Sequence, residues 1–401
     1  MTEAGAMRAA GARASPGDDI VIVGVGETAL GKLPGHGATQ LQALAALDAI
    51  ADAGLELHEI DGLVNQDPYS VPESMFSLTL AEYLGIRPTF SATCDVAGSV
   101  TPMVMLQMAA WAVRAGQCSH CLVLQGENMA TSRNPGSKGH VLHNHQGGDA
   151  FKEPFGVQGA IIPYALVAQR YCHETGVDPD DFGHVAVQMR RNAHRLKNRQ
   201  PTKPLSLQDY LASPIIADPL RYADCSLVSD GAAAFVVTTR ERAGAGRQPP
   251  VRFDAFEMQA SHLSIAQQPD LQQLTLPAVT RRLLERTRRQ LRDFDVFLVH
   301  DAFSFSVLLQ LEGLGLCPPG QAARLFAAGE AEPEGRTPVN PHGGLMGQAH
   351  FGGMLHGVEA VRQVRGDAEG RQVPGARRAL WCGNGGIFSA FGVTALSRAE
   401  S

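Results

Sequence analysis

Residues 101–115 read TPMVMLQMAAWAVRA, a helix that is apolar nearly all the way round. Thr101 is a fair N-cap, Pro102 suits the first helical position, where its missing N–H costs nothing, and Gly116 ends the run. The polar interruptions of its body, Gln107 and Arg114, lie seven residues apart on one stripe. A surface helix keeps one apolar stripe, whereas a helix apolar on most faces must be covered on most faces. Helix 102–115 is therefore expected to be buried on most of its faces. At 401 residues the chain is long enough to bury it.

The flanking segments supply the cover. Asp19-Ile-Val-Ile-Val-Gly-Val-Gly26 reads as a buried strand, 39–54 as a helix stopped by Gly54, and 62–65 as a second strand. Cys121-Leu-Val-Leu-Gln125 follows the apolar helix as the next strand, and 230–238 as another. Gly24 and Gly26 lack the third glycine of a dinucleotide-binding turn. After a linker at 244–250, strand, helix and strand return at 251–257, 274–291 and 296–299. Strands alternating with helices in both parts give an α/β class with mixed sheets. The expected division is an extension at 1–17, one half at 18–247 carrying an inserted, histidine-rich region at about 128–225, and a second half at 248–401.

Composition excludes several functions. A net charge of −6 and no Lys/Arg stripe among aromatics argue against nucleic acid. No run of about 18 apolar residues is present to span a membrane. Residues 1–17 lack the apolar core of a secretory signal and read as a disordered extension. Seven scattered cysteines suit reduced thiols in a cytoplasm. The lone Cys118-Ser-His-Cys121 pair has no second pair with which to hold zinc. His140, His143 and His145 invite a metal reading, but they lie in a glycine-bearing loop that reads rather as a cover over a pocket.

The chemistry concentrates near the C-terminus. N340-P-H-G-G-L-M-G-Q-A-H-F-G-G-M354 and L380-W-C-G-N-G-G-I-F388 are two glycine-rich turns, carrying His350 and Cys382. Glycine permits close backbone approach, so both turns suggest one tightly built place. A third group, His300, closes the apolar strand Phe297-Leu-Val-His. Each also has an ordinary reading as a core histidine or a buried inert thiol.

The order of these segments resembles the thiolase superfamily, in particular the sterol-carrier-protein-like thiolases. Ile22–Thr28, Asp230-Gly-Ala-Ala-Ala234, His300-Asp-Ala-Phe303, Cys317-Pro-Pro-Gly-Gln321 and Pro338-Val-Asn340 follow in the family's order, so the resemblance covers roughly 19–397. It implies a five-layer αβαβα sandwich of two pseudo-symmetric halves, with helix 102–115 in the middle layer. It implies that His300 and His350 donate to a thioester oxygen, or that His350 activates a thiol, and that Cys382 shuttles a proton. Ala349 and Phe351 depart from the Gly and Pro that flank the family's histidine. Where a condensing thiolase has its nucleophilic cysteine, a gap-free count reaches Ser99; Cys94, five residues earlier, is the alternative. Ser99, His300, His350 and Cys382 are expected in one pocket.

The same resemblance places Ser226 beside the pantetheine arm of coenzyme A. Arg190 and Arg191, with Arg195 and Lys197, form a basic patch that either pairs with its phosphates or is a solvated helix face. A homodimer joined through a strand at about 90–94 is implied, as is a small zinc-ribbon/OB-fold partner chain. No permanently bound cofactor is expected. Three functions follow: thiolase-like acyl transfer on a CoA thioester through an enolate, retro-aldol cleavage of a β-hydroxyacyl-CoA, or a non-catalytic acyl-binding scaffold.

Overall fold

A computed structural model describes residues 20–399, apart from 133–152, 158, 245, 264, 269 and 271–273. The expected extension at 1–17 and His140, His143 and His145 lie outside the described residues.

Strand β1 (Ile20–Glu27) leads into α1 (Ala38–Ala53), β2 (Gly62–Asn65), α2 (Phe76–Leu84) and β3 (Phe90–Thr93). Next come α3 (Thr101–Arg114), β4 (Cys121–Asn128), α4 (Ile161–Thr175), α5 (Phe182–Ala193) and α6 (Leu207–Ala212). The short hairpin β5 (Ile215–Ala217) and β6 (Leu220–Arg221) precedes β7 (Asp230–Thr239), α7 (Arg240–Ala243) and β8 (Val251–Ala260). The chain closes with α8 (Leu276–Thr287), β9 (Val296–Val299), α9 (Ser304–Leu314), α10 (Ala322–Ala327), α11 (Gly344–Gly347), α12 (Met354–Arg365), β10 (Arg378–Gly385) and β11 (Ala390–Arg398). The helix expected over 274–291 is shorter, because Arg288 turns into the left-handed region and caps it.

Among the described residues nine strands pair in the order β3-β2-β4-β7-β1-β8-β11-β10-β9. The link between β1 and β8 is slight, with Val21↔Arg252 and Ile22↔Val251 the pairs in register among the described residues. The sheet folds back there, and its two parts face each other across α3 and α12, which pack against strands of both.

Strand alternation shows the layering. Val21, Leu63, Leu122 and Val236 turn outward onto α1 and α2, whereas Ile22, Val64, Val123 and Val237 turn inward onto α3. In the second part Trp381 and Leu298 turn inward to the same middle core. Leu380, Cys382 and Val299 turn outward onto α8 and α9. The result is helices, sheet, helices, sheet, helices, the five layers that the family resemblance implied. Nine of the fourteen residues of α3 are buried, and Gln107, Trp111 and Arg114 form its more exposed stripe.

Candidate active site

Ser99 sits in a single turn of 3-10 helix, Gly98–Val100, that runs directly into α3. It is buried, and both glycine-rich turns close on it. A Cβ on Gly353 would lie 2.6 Å from Ser99 Cβ, and one on Gly383 would lie 2.5 Å from Ser99 O. Side chains at either position would displace the serine, which is the physical reason for glycine there.

Ser99 Oγ is 2.5 Å from His300 Nδ1. The histidine follows β9, and its backbone N–H donates to Cys382 O at 3.1 Å. Asn340 holds the end of β9 as a peptide would: its Oδ1 accepts from Val299 N and its Nδ2 donates to Val299 O, each at 2.8 Å. Gln310 Nε2 donates to His300 O at 2.6 Å. His300 is thus fixed at backbone and ring.

His350 is held in a parallel way. Its Nδ1 is 2.8 Å from Ser226 Oγ, and its backbone N–H donates to Ser229 Oγ at 3.0 Å. The two imidazoles lie 6.5 Å apart between centroids, nearly perpendicular. Burial holds both neutral. It pushes His350 down to about 4, and it pushes His300 well below the usual imidazole range, with the charges His350 and His356 would carry adding to the effect. In a neutral ring whose Nδ1 accepts from a serine hydroxyl, the proton resides on Nε2, which can then donate. The alternative tautomer has Nδ1 donate to the serine. Neither Nε2 has a hydrogen-bond partner among the described residues.

Behind this pair lies a group to which the residue order gave no role. Asp301 accepts from Leu345 N at 2.8 Å and Met346 N at 3.2 Å, and its Oδ1 is 3.0 Å from His356 Nε2. His342 packs edge-on to His356, with centroids 4.9 Å apart. His342 stood in the first glycine-rich turn in plain view; only the pairing with a helix fourteen residues later was hidden.

The other named residues are placed as follows. The Cys382 side chain lies on the outer face of β10, its Sγ 3.5 Å from Gln310 Oε1, while its neighbour Gly383 faces Ser99. Burial pushes the thiol far up, so it is neutral. Cys94 lies in the middle core just past β3, its thiol also raised by burial and by Asp95. Ser226, expected beside pantetheine, hydrogen-bonds His350. Arg191 is ion-paired with Glu332, and Arg195 with Glu334 at 3.1 Å. Arg190 donates to Lys203 O at 3.1 Å and has no ion pair among the described residues. No group of three or more His, Cys, Asp or Glu able to hold a metal occurs among the described residues.

Residues 258–398 match the thiolase C-terminal domain-like family model. The 17-hydroxy-3-oxo-4-pregnene-20-carboxyl-CoA lyase of Mycobacterium tuberculosis is 33% identical over 356 residues, covering 86% of this chain and 91% of the relative. The steroid side-chain-cleaving aldolase of Thermomonospora curvata is 34% identical over 366 residues, covering 86% and 90%. Among solved structures, the Ltp2-ChsH2(DUF35) aldolase superposes with a TM-score of 0.84 at 29% identity, over 96% of this chain and 99% of that one. With sandwich layering, two glycine turns and a serine–histidine pair at the head of the middle helix, the chain belongs to the thiolase superfamily, in its sterol-carrier-protein-2-like group, and is an enzyme of the thiolase-like acyltransferase or carbon–carbon lyase type.

Proposed function

We propose that the enzyme is a carbon–carbon lyase that cleaves a β-hydroxyacyl-CoA by a retro-aldol reaction. The observation that carries this is Ser99: the place of the condensing nucleophile holds a hydroxyl engaged with His300, and the thiols of Cys94 and Cys382 lie elsewhere. A hydroxyl is a far poorer nucleophile toward a thioester than a thiolate. Retro-aldol cleavage needs no acyl-enzyme. The proton of the β-hydroxyl leaves, its oxygen forms a carbonyl, the Cα–Cβ bond breaks, and the electron pair passes into the thioester as an enolate that is then protonated at Cα.

The histidines meet these needs. An N–H···O bond of ordinary length places its acceptor roughly 4 Å from an imidazole centroid. Two rings 6.5 Å apart can therefore donate from both Nε2 atoms to one enolate oxygen. The β-hydroxyl proton passes through Ser99 Oγ to His300 Nδ1, leaving the Nε2–H in place as donor. Arg190 is proposed to meet a phosphate of coenzyme A, since its neighbour Arg191 is taken by Glu332. Similarity to the two lyases supports a bulky, steroid-like acyl group, and similarity to the aldolase assembly supports a second protein chain beside this one.

Incubation with a β-hydroxyacyl-CoA is expected to release a shortened acyl-CoA and a ketone or aldehyde, with the mass of the intact protein unchanged. An acyl adduct on Ser99 or Cys94 would instead establish acyl transfer. That is the second reading, favoured by one feature: a serine at the start of a helix is paired with a histidine, the base that activates a hydroxyl nucleophile.

We also propose a homodimer. Strand β3 ends the sheet, so one side of it is unpaired among the described residues. Its alternating half-buried and exposed residues, Phe90 to Thr93, offer an edge to a second copy. Light scattering is expected to give twice the 42.7 kDa chain mass; a monomer at micromolar concentration refutes the dimer.

A further inference from the structure

Six arginines, Arg240, Arg252, Arg289, Arg377, Arg378 and Arg398, line one cleft of about 820 Å³, and no acidic side chain lines it among the described residues. The cleft lies at the opposite end of the second sheet from the active site. Strand β10 begins with Arg378 there and reaches Ser99 at Gly383, five residues and roughly 17 Å further on.

The sheet itself fixes part of the cluster. Arg252 on β8 is opposite Ser397 on β11, and Ser397 is opposite Arg378 on β10. Directly opposed residues share a face, so the two arginines flank the serine about 10 Å apart.

The nearby carboxylates are occupied. Asp254 accepts from Arg252 Nε at 2.6 Å, Arg289 Nη1 at 2.5 Å and Ser397 Oγ at 2.9 Å. Asp295 Oδ2 accepts the backbone N–H groups of Arg377 at 2.8 Å and Arg378 at 2.9 Å. Arg240, Arg377, Arg378 and Arg398 have no ion pair among the described residues. A chain of net charge −6 thus concentrates unneutralised guanidinium groups in one concavity. Such crowding raises the energy of the folded protein through self-repulsion, and a bound anion relieves it. Guanidinium forks match pairs of phosphate oxygens, and the volume is that of a nucleotide-sized ligand.

We propose that this cleft binds a small molecule carrying two or more phosphate groups, at a site separate from the acyl-CoA site. A single phosphate reaches only part of the cluster and binds more weakly.

The test is calorimetric titration of the full chain at low ionic strength with tripolyphosphate, ATP and orthophosphate. Tripolyphosphate and ATP are expected to bind at least tenfold more tightly than orthophosphate. Tighter binding of ATP identifies a nucleotide; equal binding identifies the phosphates alone as the recognised group. The double variant Arg377→Gln/Arg378→Gln is expected to weaken both by at least tenfold, the loss of about one charge-assisted contact. Arg377 is exposed and Arg378 half-buried, and a melting curve matching the parent's shows that the variant folds. Arg240→Gln provides a second, separate reduction. Absence of binding, affinity unchanged in the double variant, or competition of tripolyphosphate with acyl-CoA each overturns the proposal. These readouts do not depend on which reaction the active site performs.

Discussion

His300→Ala lowers kcat/KM for a β-hydroxyacyl-CoA by roughly 10²–10⁴-fold, the usual contribution of a positioned acid–base group, while Cys382→Ala leaves it within a few-fold of the parent. The first half follows from the histidine's two duties. In the proposed retro-aldol reaction it takes the proton delivered through Ser99 and offers one of two donors to the enolate oxygen. Both are made in the transition state, so kcat and kcat/KM fall together with little change in KM. Ser99→Ala removes the proton path and the hydrogen bond that sets the ring's tautomer, yet is expected to cost less than His300→Ala because the imidazole itself remains.

The second half follows from strand parity. Gly383 faces Ser99, so the preceding Cys382 turns the other way, into the outer core with Leu380 and Val299. Its thiol is hydrogen-bonded to Gln310 and held neutral by burial, so it is expected to pack rather than react. Its loss is expected to cost about 1 kcal/mol of stability, the centre of the range for point substitutions. Steady-state kinetics on the three variants, with thermal melts beside them, decide the matter. A Cys382→Ala enzyme that folds yet loses orders of magnitude in kcat restores the proton shuttle the family resemblance implies.

The difference between His300 and Cys382 shows what the residue order could and could not carry. The middle layer was legible, because an apolar helix surface has to be covered whatever covers it. The closeness of the glycine turns was legible for the same kind of reason: five glycines among 343–353 need something packed tightly against them. Parity was not. Trp381 and Cys382 are both acceptable core residues, and only the pairing of β10 with β9 and β11 decides which faces the middle helices. The serine partners were equally hidden, since 201 residues separate Ser99 from His300 and 124 separate Ser226 from His350. Arg191 looked free for phosphate in sequence because its partner, Glu332, comes from a distant loop.

Gly383→Ala is expected to lower kcat by roughly 10²-fold and to lower stability by about 1–3 kcal/mol, the cost of overpacking a filled core. The added methyl would stand 2.5 Å from Ser99 O and 2.9 Å from Met103 Cε. The methionine can move, but the carbonyl belongs to the turn that starts α3, and shifting it carries Ser99 Oγ away from His300 Nδ1. A displacement near 1 Å at a reacting group costs about 10²-fold, and here both the proton path and the ring's tautomer depend on that contact. Gly353→Ala acts from the opposite side, where its methyl would meet Ser99 Cβ at 2.6 Å. The expected signature is a loss of kcat far larger than the loss of melting temperature implies, in both variants. If Gly383→Ala retains parental kcat while its melting temperature falls, Ser99 is not held in place by the glycine turns, and the site does not require the geometry argued for it.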